Sequence, residues 1–321
     1  MAHELTQRAD GFTETAFVGD TPWHRLGQRL ERDASMQEWR EAAGMNWEIH
    51  SAPVMFTPPQ GEAIEYAGQN VLYRSDNLDA LSVVTDQYKP VQPREVLEFF
   101  ANLVADHGFR LHTAGTLSGG RRLWALAETG KYGEVVKDDG VGGFLLLSTS
   151  CDKTLSTTAR FTKIRVVCNN TLTAALGKND HTVSLTHRSK FDYQKVQKKL
   201  GVAVESFGAF LESARVLQQH QLNVAAAEGF VKRLVESQVL LPDGADVTQN
   251  RAYQKILSLF DGGAKGAQMV GQTRWGMLNA VTEYIDHHSP NRTDDARLNS
   301  AWFGNGERWK NTAADLLIST L

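Results

Sequence analysis

The chain has 321 residues, 41% of them hydrophobic and 22% charged, the balance expected of a globular protein and not of a disordered or fibrous one. No run of about 18 apolar residues occurs, which excludes a hydrophobic helix spanning a membrane. The formal net charge is −3, and the two cysteines, Cys151 and Cys168, do not make a disulfide framework, so a reduced, cytoplasmic chain with both thiols as small buried hydrophobes is expected.

The start, MAHELTQRADG, is polar with an early acidic residue, unlike a signal peptide. The length exceeds one ordinary core. Residues 21–30 mix aromatic and basic side chains without a clear period, and Trp23 is read as an anchor for this arm. Ser35 and Glu38 have the spacing of a capping box, and Gly44 closes the helix that they open. Strands are expected over 47–56, 65–73 and 80–88, with turns at Pro58-Pro59 and at Ser75-Asp76-Asn77. Pro93 suits the first turn of a helix whose apolar stripe is Val96, Phe99, Phe100 and Leu103. Residues 109–116 and 121–128 form a hairpin around Ser118-Gly119-Gly120, and 131–139 reads as a charged loop.

The stretch 142–176, GGFLLLSTSCDKTLSTTARFTKIRVVCNNTLTAAL, organises the rest. It predicts strands over 142–150 and 157–168 joined by a polar turn, then a short helix from Thr171 capped by Asn169 or Asn170. Side chains alternate across a strand, so Ile164, Val166 and Cys168 point one way and Lys163 and Arg165 the other. Two readings stand at this point: a half-buried strand with a solvated outer face, or a cationic strip for phosphates. Arg160 falls on the apolar parity, and only a bulge or an edge position would turn it outward.

Charge is unevenly spread. Residues 151–199 hold ten Lys/Arg against three Asp, a local +7 that leaves −10 for the remainder. Such asymmetry points to a polyanion surface on an acidic body, with solvated faces as the plain alternative. Lys153, Arg160, Lys163, Arg165, Arg188 and Lys190 are the candidate nucleic-acid-binding residues.

From residue 189 the pattern turns helical. Apolar residues from Tyr193 to Leu217 recur at spacings of three and four, a seam that packs on its own domain or on a second copy. Further helices are expected over 225–240, 247–260, 273–288, 291–302 and 307–317, with a flexible Gly-rich loop over 261–272. The division is therefore an α+β hairpin-rich domain over 1–188 and a helical region over 189–321.

Catalytic signatures are sparse. There is no phosphate-binding P-loop, no dinucleotide fingerprint, no H-E-x-x-H, no C-x-x-C and no G-x-S-x-G. His287 and His288 are adjacent, so on a helix they diverge and make a poor metal pair; Glu283, Asp286 and His287 are the one imaginable acid–base cluster. No metal, cofactor or catalytic residue is assigned. Trp275, Tyr284, Trp302, Phe303 and Trp309 crowd the last 50 residues, as core or as platforms on which bases stack.

Four runs carry a resemblance: Pro22-Trp23-His24-Arg25-Leu26-Gly27, Tyr73-Arg74-Ser75-Asp76, Arg165-Val166-Val167-Cys168-Asn169-Asn170-Thr171-Leu172, and the stretch from Trp275 to His287. Together they resemble the phage/plasmid-like protein family of unknown function (DUF nine-three-two). Where that family has His-Asp-Gly-Ser in the central turn, this chain has Cys151-Asp152-Lys153-Thr154. The resemblance implies a mobile-element origin. The order of hairpins and helix is also similar to that of phage single-strand annealing proteins of the Red-beta, RecT and Erf types, an analogy of fold alone. The resulting expectation is an ATP-independent, non-enzymatic single-stranded DNA-binding protein that promotes annealing as a homo-oligomeric ring or filament. The alternatives are an anti-defence or replication-accessory interaction protein, and an enzyme with a site near Glu283 and His287.

Overall fold

The computed structural model describes residues 6–19, 26–59, 61–165, 170–172, 182–185, 207–242, 244–290, 300–302 and 304–319. Its strands are β1 Thr15–Val18, β2 Gln28–Leu30, β3 Ile49–Phe56, β4 Ile64–Arg74, β5 Ala80–Thr85, β6 Arg110–Leu117, β7 Arg122–Glu134, β8 Gly140–Ser150, β9 Thr157–Arg165, β10 Asn170–Leu172 and β11 Thr182–Leu185. The described helices are α1 Met36–Ala42, α2 Pro93–His107, α3 Phe207–Gln219, α4 Val224–Gln238, α5 Arg251–Ser258, α6 Ala267–Val270, α7 Arg274–Glu283 and α8 Asn305–Ser319. This is an α+β fold, with strands in the first half and helices in the second.

Eight strands make one sheet in the order β10-β9-β8-β7-β6-β1-β2, and β11 also pairs with β9. Every pairing in it is antiparallel except β1 with β2. β3, β4 and β5 form a separate antiparallel sheet.

The large sheet is a middle layer, and its strand alternation shows why. On β7 and β8, Trp124, Leu126, Phe144 and Leu146 share an apolar cluster with the C-terminal helices. The neighbours Leu123, Ala125, Ala127, Leu145 and Leu147 share the other cluster with Trp39 of α1, Val96, Leu97 and Phe99 of α2 and Leu72 of β4. All 11 residues of β8 are consequently buried, which is why its sequence is apolar without alternation up to Leu147, before the buried Ser148, Thr149 and Ser150.

Local signals explain the element starts. Glu38 N–H donates to Ser35 Oγ and Ser35 N–H to Glu38 Oε2, the reciprocal capping box. Asn223 caps α4 and Thr273 caps α7 through the N–H groups three residues on. Gly120 turns β6 into β7 with φ +92°, and a Cβ there would meet the Trp47 ring at 2.7 Å.

Several expectations are corrected. The segment from Asn170 begins as strand β10, not as a helix, because Asn170, Thr171 and Leu172 continue the ladder opposite Arg165, Ile164 and Lys163. The charged loop is half strand: β7 runs on to Glu134 across a bulge between Glu128 and Tyr132, and a tight turn follows in which Val135 N–H donates to Asp139 O. The Gly-rich loop holds a wide π-type turn, Leu259–Gly263, and the short α6. The long seam is described only from Phe207; its earlier part, Phe303 and most of 291–302 lie outside the described residues. Among the described residues no helix is long and apolar enough to cross a membrane.

Candidate functional site

The cations proposed from the sequence do not form one row on β9. The β8–β9 register runs from Val141 opposite Arg165 to Ser148 opposite Thr158 without a shift, so no bulge turns Arg160 outward. Arg160 stays on the side of Leu146, beneath the C-terminal helices. Its Nη1 ion-pairs with Glu307 of α8 and donates to Trp302 O at 3.4 Å. Lys163 lies on the other parity, beside Phe161, with its Nζ 5.3 Å from the Phe161 ring centre and 5.2 Å from that of Phe210. The expected solvated outer face is therefore covered: Ala159 is 2% exposed on one side and Ile164 9% on the other. The Arg165 backbone pairs with Val141 and Asn170; its side chain, and all of Arg188 and Lys190, lie outside the described residues.

Lys153 is placed differently. It sits exposed in the β8–β9 turn with φ +65°, the left-handed region that favours glycine. Asp152 accepts from Thr154 N–H at 3.0 Å, and Arg122 Nη2 donates to Thr154 Oγ1 at 2.9 Å, so the turn is tied to the start of β7. Burial works against the charge of Asp152, but the Thr154 hydrogen bonds outweigh it and hold the carboxyl below its usual range. β11 brings the chain back to this end, Leu185 lying opposite Thr157.

The histidine-rich motif is largely internal. Every residue from Trp275 to Glu283 is buried. Trp275 Nε1 donates to the fully buried Asp139 at 2.8 Å, and Asn279 and Thr282 are bonded within the helix. Glu283 Oε2 accepts from Lys265 N–H at 3.0 Å, while its Oε1 stands 4.0 Å from His288 Nε2. Asp286 meets Lys310 at 2.5 Å, a lysine with no exposed surface. Burial pushes the Lys310 ammonium below its usual range, and Asp286 offsets part of that. Trp275, Tyr284, Trp302 and Trp309 are each 6% exposed or less, so they build core and offer no face on which a base could stack. Among the described residues no three His, Cys, Asp or Glu side chains converge as a metal set.

Sequence reasoning missed that the fold buries Arg74 and Lys310, as it does Glu14 and Asp139. Arg74, 1% exposed, donates to Glu14 Oε1 and Oε2 at 2.7 and 3.1 Å and to both Asp76 oxygens at 2.9 and 2.8 Å, with its guanidinium 4.1 Å from the Trp47 ring centre. Its place in Tyr73-Arg74-Ser75-Asp76 marks the run without giving the role. Lys310 shares helical spacing with Ala313, Ala314 and Leu317, a signal that it belongs to the buried stripe.

These features define an α+β protein built on a two-faced, mainly antiparallel sheet, with a helix buried from Trp275 to Glu283 in its second half. The chain matches the family model described as a domain of unknown function, DUF932, over residues 80–302, and it belongs to that family. No curated protein and no solved structure matches it.

Proposed function

We propose that this protein is a single-stranded DNA-binding protein of a mobile element, working without a catalytic centre and promoting strand annealing as an oligomer. Phosphates are gripped by Lys153 in the β8–β9 turn and by Arg188 and Lys190 of the same basic segment, with Arg165 a further contact at the opposite end of β9, across from Val141. Arg160 and Lys163 serve the fold there. The observation that carries this reading is Lys153 itself. A lysine in left-handed backbone costs about 1 kcal/mol where a glycine would be relaxed, and an exposed cation kept at that cost fits a ligand contact. The exit of β11 beside the same turn supports it, because the segment bearing Arg188 and Lys190 follows three residues later.

A gel-shift titration with a single-stranded oligonucleotide tests this. The triple variant Lys153→Glu, Arg188→Glu, Lys190→Glu is expected to lose binding while keeping the wild-type urea midpoint. Unchanged binding by that variant rejects the proposal.

A further inference from the structure

A second polar feature lies away from β9. α5 and the π-type turn Tyr284–His288 enclose an open groove of about 670 Å³, lined by Arg251, Gln254, Lys255, Ser258, Tyr284 and His288 among others. That volume is in the range of small-ligand sites. Among the described residues no carboxylate lines it.

Arg251 and Lys255 stand one helical turn apart, and neither is within ion-pair distance of a carboxylate among the described residues. Like charges at that spacing repel by a few tenths of a kcal/mol, which a bound anion would reverse. Arg251 is also the first residue of α5, behind the Asn250 cap, where the helix dipole is positive. On the opposite wall the helix-end carbonyls are occupied: Ser289 N–H donates to Tyr284 O at 2.7 Å and Ser289 Oγ to Ile285 O at 2.8 Å. Glu283 stands behind His288 with one oxygen held by Lys265 N–H. Both α5 and α7 run into π-type turns, a form that recurs at functional sites.

We infer that this groove is an anion site that takes a phosphate or diphosphate group through Arg251 and Lys255, with Ser258, Gln254 and the Tyr284 hydroxyl as neutral partners. The inference does not rest on DNA binding at the β8–β9 turn.

Inorganic pyrophosphate is the probe, titrated calorimetrically into the full chain at low salt. Saturable binding is expected, weakened about tenfold or more in Arg251→Ser, Lys255→Ser and kept in Lys255→Arg, since each charged hydrogen bond is worth about 1.5–3 kcal/mol. The variant Lys153→Glu, Arg188→Glu, Lys190→Glu should bind pyrophosphate as the wild type does, which separates this site from the proposed DNA grip. Displacement of pyrophosphate by a single-stranded oligonucleotide would support the site with nucleic-acid phosphate as the source. Pyrophosphate binding indifferent to oligonucleotide would support it with a small phosphorylated molecule as the source. No saturable binding by the wild type, or equal binding by Arg251→Ser, Lys255→Ser, overturns the inference.

Discussion

Replacing Arg160 by alanine distinguishes a residue of the fold from a residue of the binding surface. The side chains of Arg160 and Glu307 are 19% and 17% exposed, so their ion pair is largely shielded from water. A hydrogen bond to a charged group contributes about 1.5–3 kcal/mol in such a setting, and the substitution removes this one from Glu307. The expected loss is about 2–3 kcal/mol, a factor of roughly 30–150 in the folding equilibrium. Urea denaturation followed by tryptophan fluorescence should show a lower midpoint with an unchanged slope. Glu307→Gln should cost a similar amount, and the double variant less than the two together, because the two residues share one interaction. Affinity for single-stranded DNA should stay within about twofold of wild type, the site being elsewhere. A midpoint that does not move, together with DNA affinity that falls tenfold, would refute this reasoning and return Arg160 to the binding surface.

Lys153→Gly should act in opposite directions on its two readouts. The relaxed left-handed turn should raise stability by roughly 0.5–1 kcal/mol in urea while oligonucleotide affinity falls; a parallel change in both would count against it. Arg74→Met strips Glu14, which is fully buried, of its bidentate partner, and should cost about 3–5 kcal/mol in the same urea assay. At that site burial opposes the charge of Asp76, but the Arg74 hydrogen bonds and charge win and hold its carboxyl below the ordinary value of 3.8. Its folded value being the lower, its contribution is complete above pH 3.8 and is lost as pH falls through the folded value, so Asp76→Asn should flatten the acid limb of a stability–pH curve. Cys151 is buried, and burial pushes its thiol up to about 12, so near pH 8 its alkylation by iodoacetamide should be on the order of 10³-fold slower than in urea.

Much of the architecture is legible in the sequence because its signals are local. The Ser35–Glu38 box and the Ser118-Gly119-Gly120 turn act within a few residues, and each falls where the spacing places it. Charge is harder to read, because alternation tells which residues share a face and not what covers that face. Parity places Arg160 with the apolar side of β9, but the partner that makes this tolerable, Glu307, is 147 residues away. Alternation puts Lys163 on the opposite side, yet its ammonium lies over Phe161 and Phe210, both members of the cluster that holds Leu146 and Ile164. Asn170 shows the same limit from the other direction: a residue suited to cap a helix instead continues a ladder along β9. Glu14, separated by 60 residues from Arg74, could not be paired with it from sequence spacing at all.

The salt dependence of single-stranded DNA binding tests the central claim most directly. With log affinity plotted against log salt, the wild type should give a steep negative slope. Each phosphate neutralised on a single strand adds roughly 0.7 to its steepness, so Lys153→Gln, Arg188→Gln, Lys190→Gln should be shallower by about 2. Superimposable slopes for wild type and variant, or wild-type binding indifferent to salt, would contradict a phosphate grip at the β8–β9 turn.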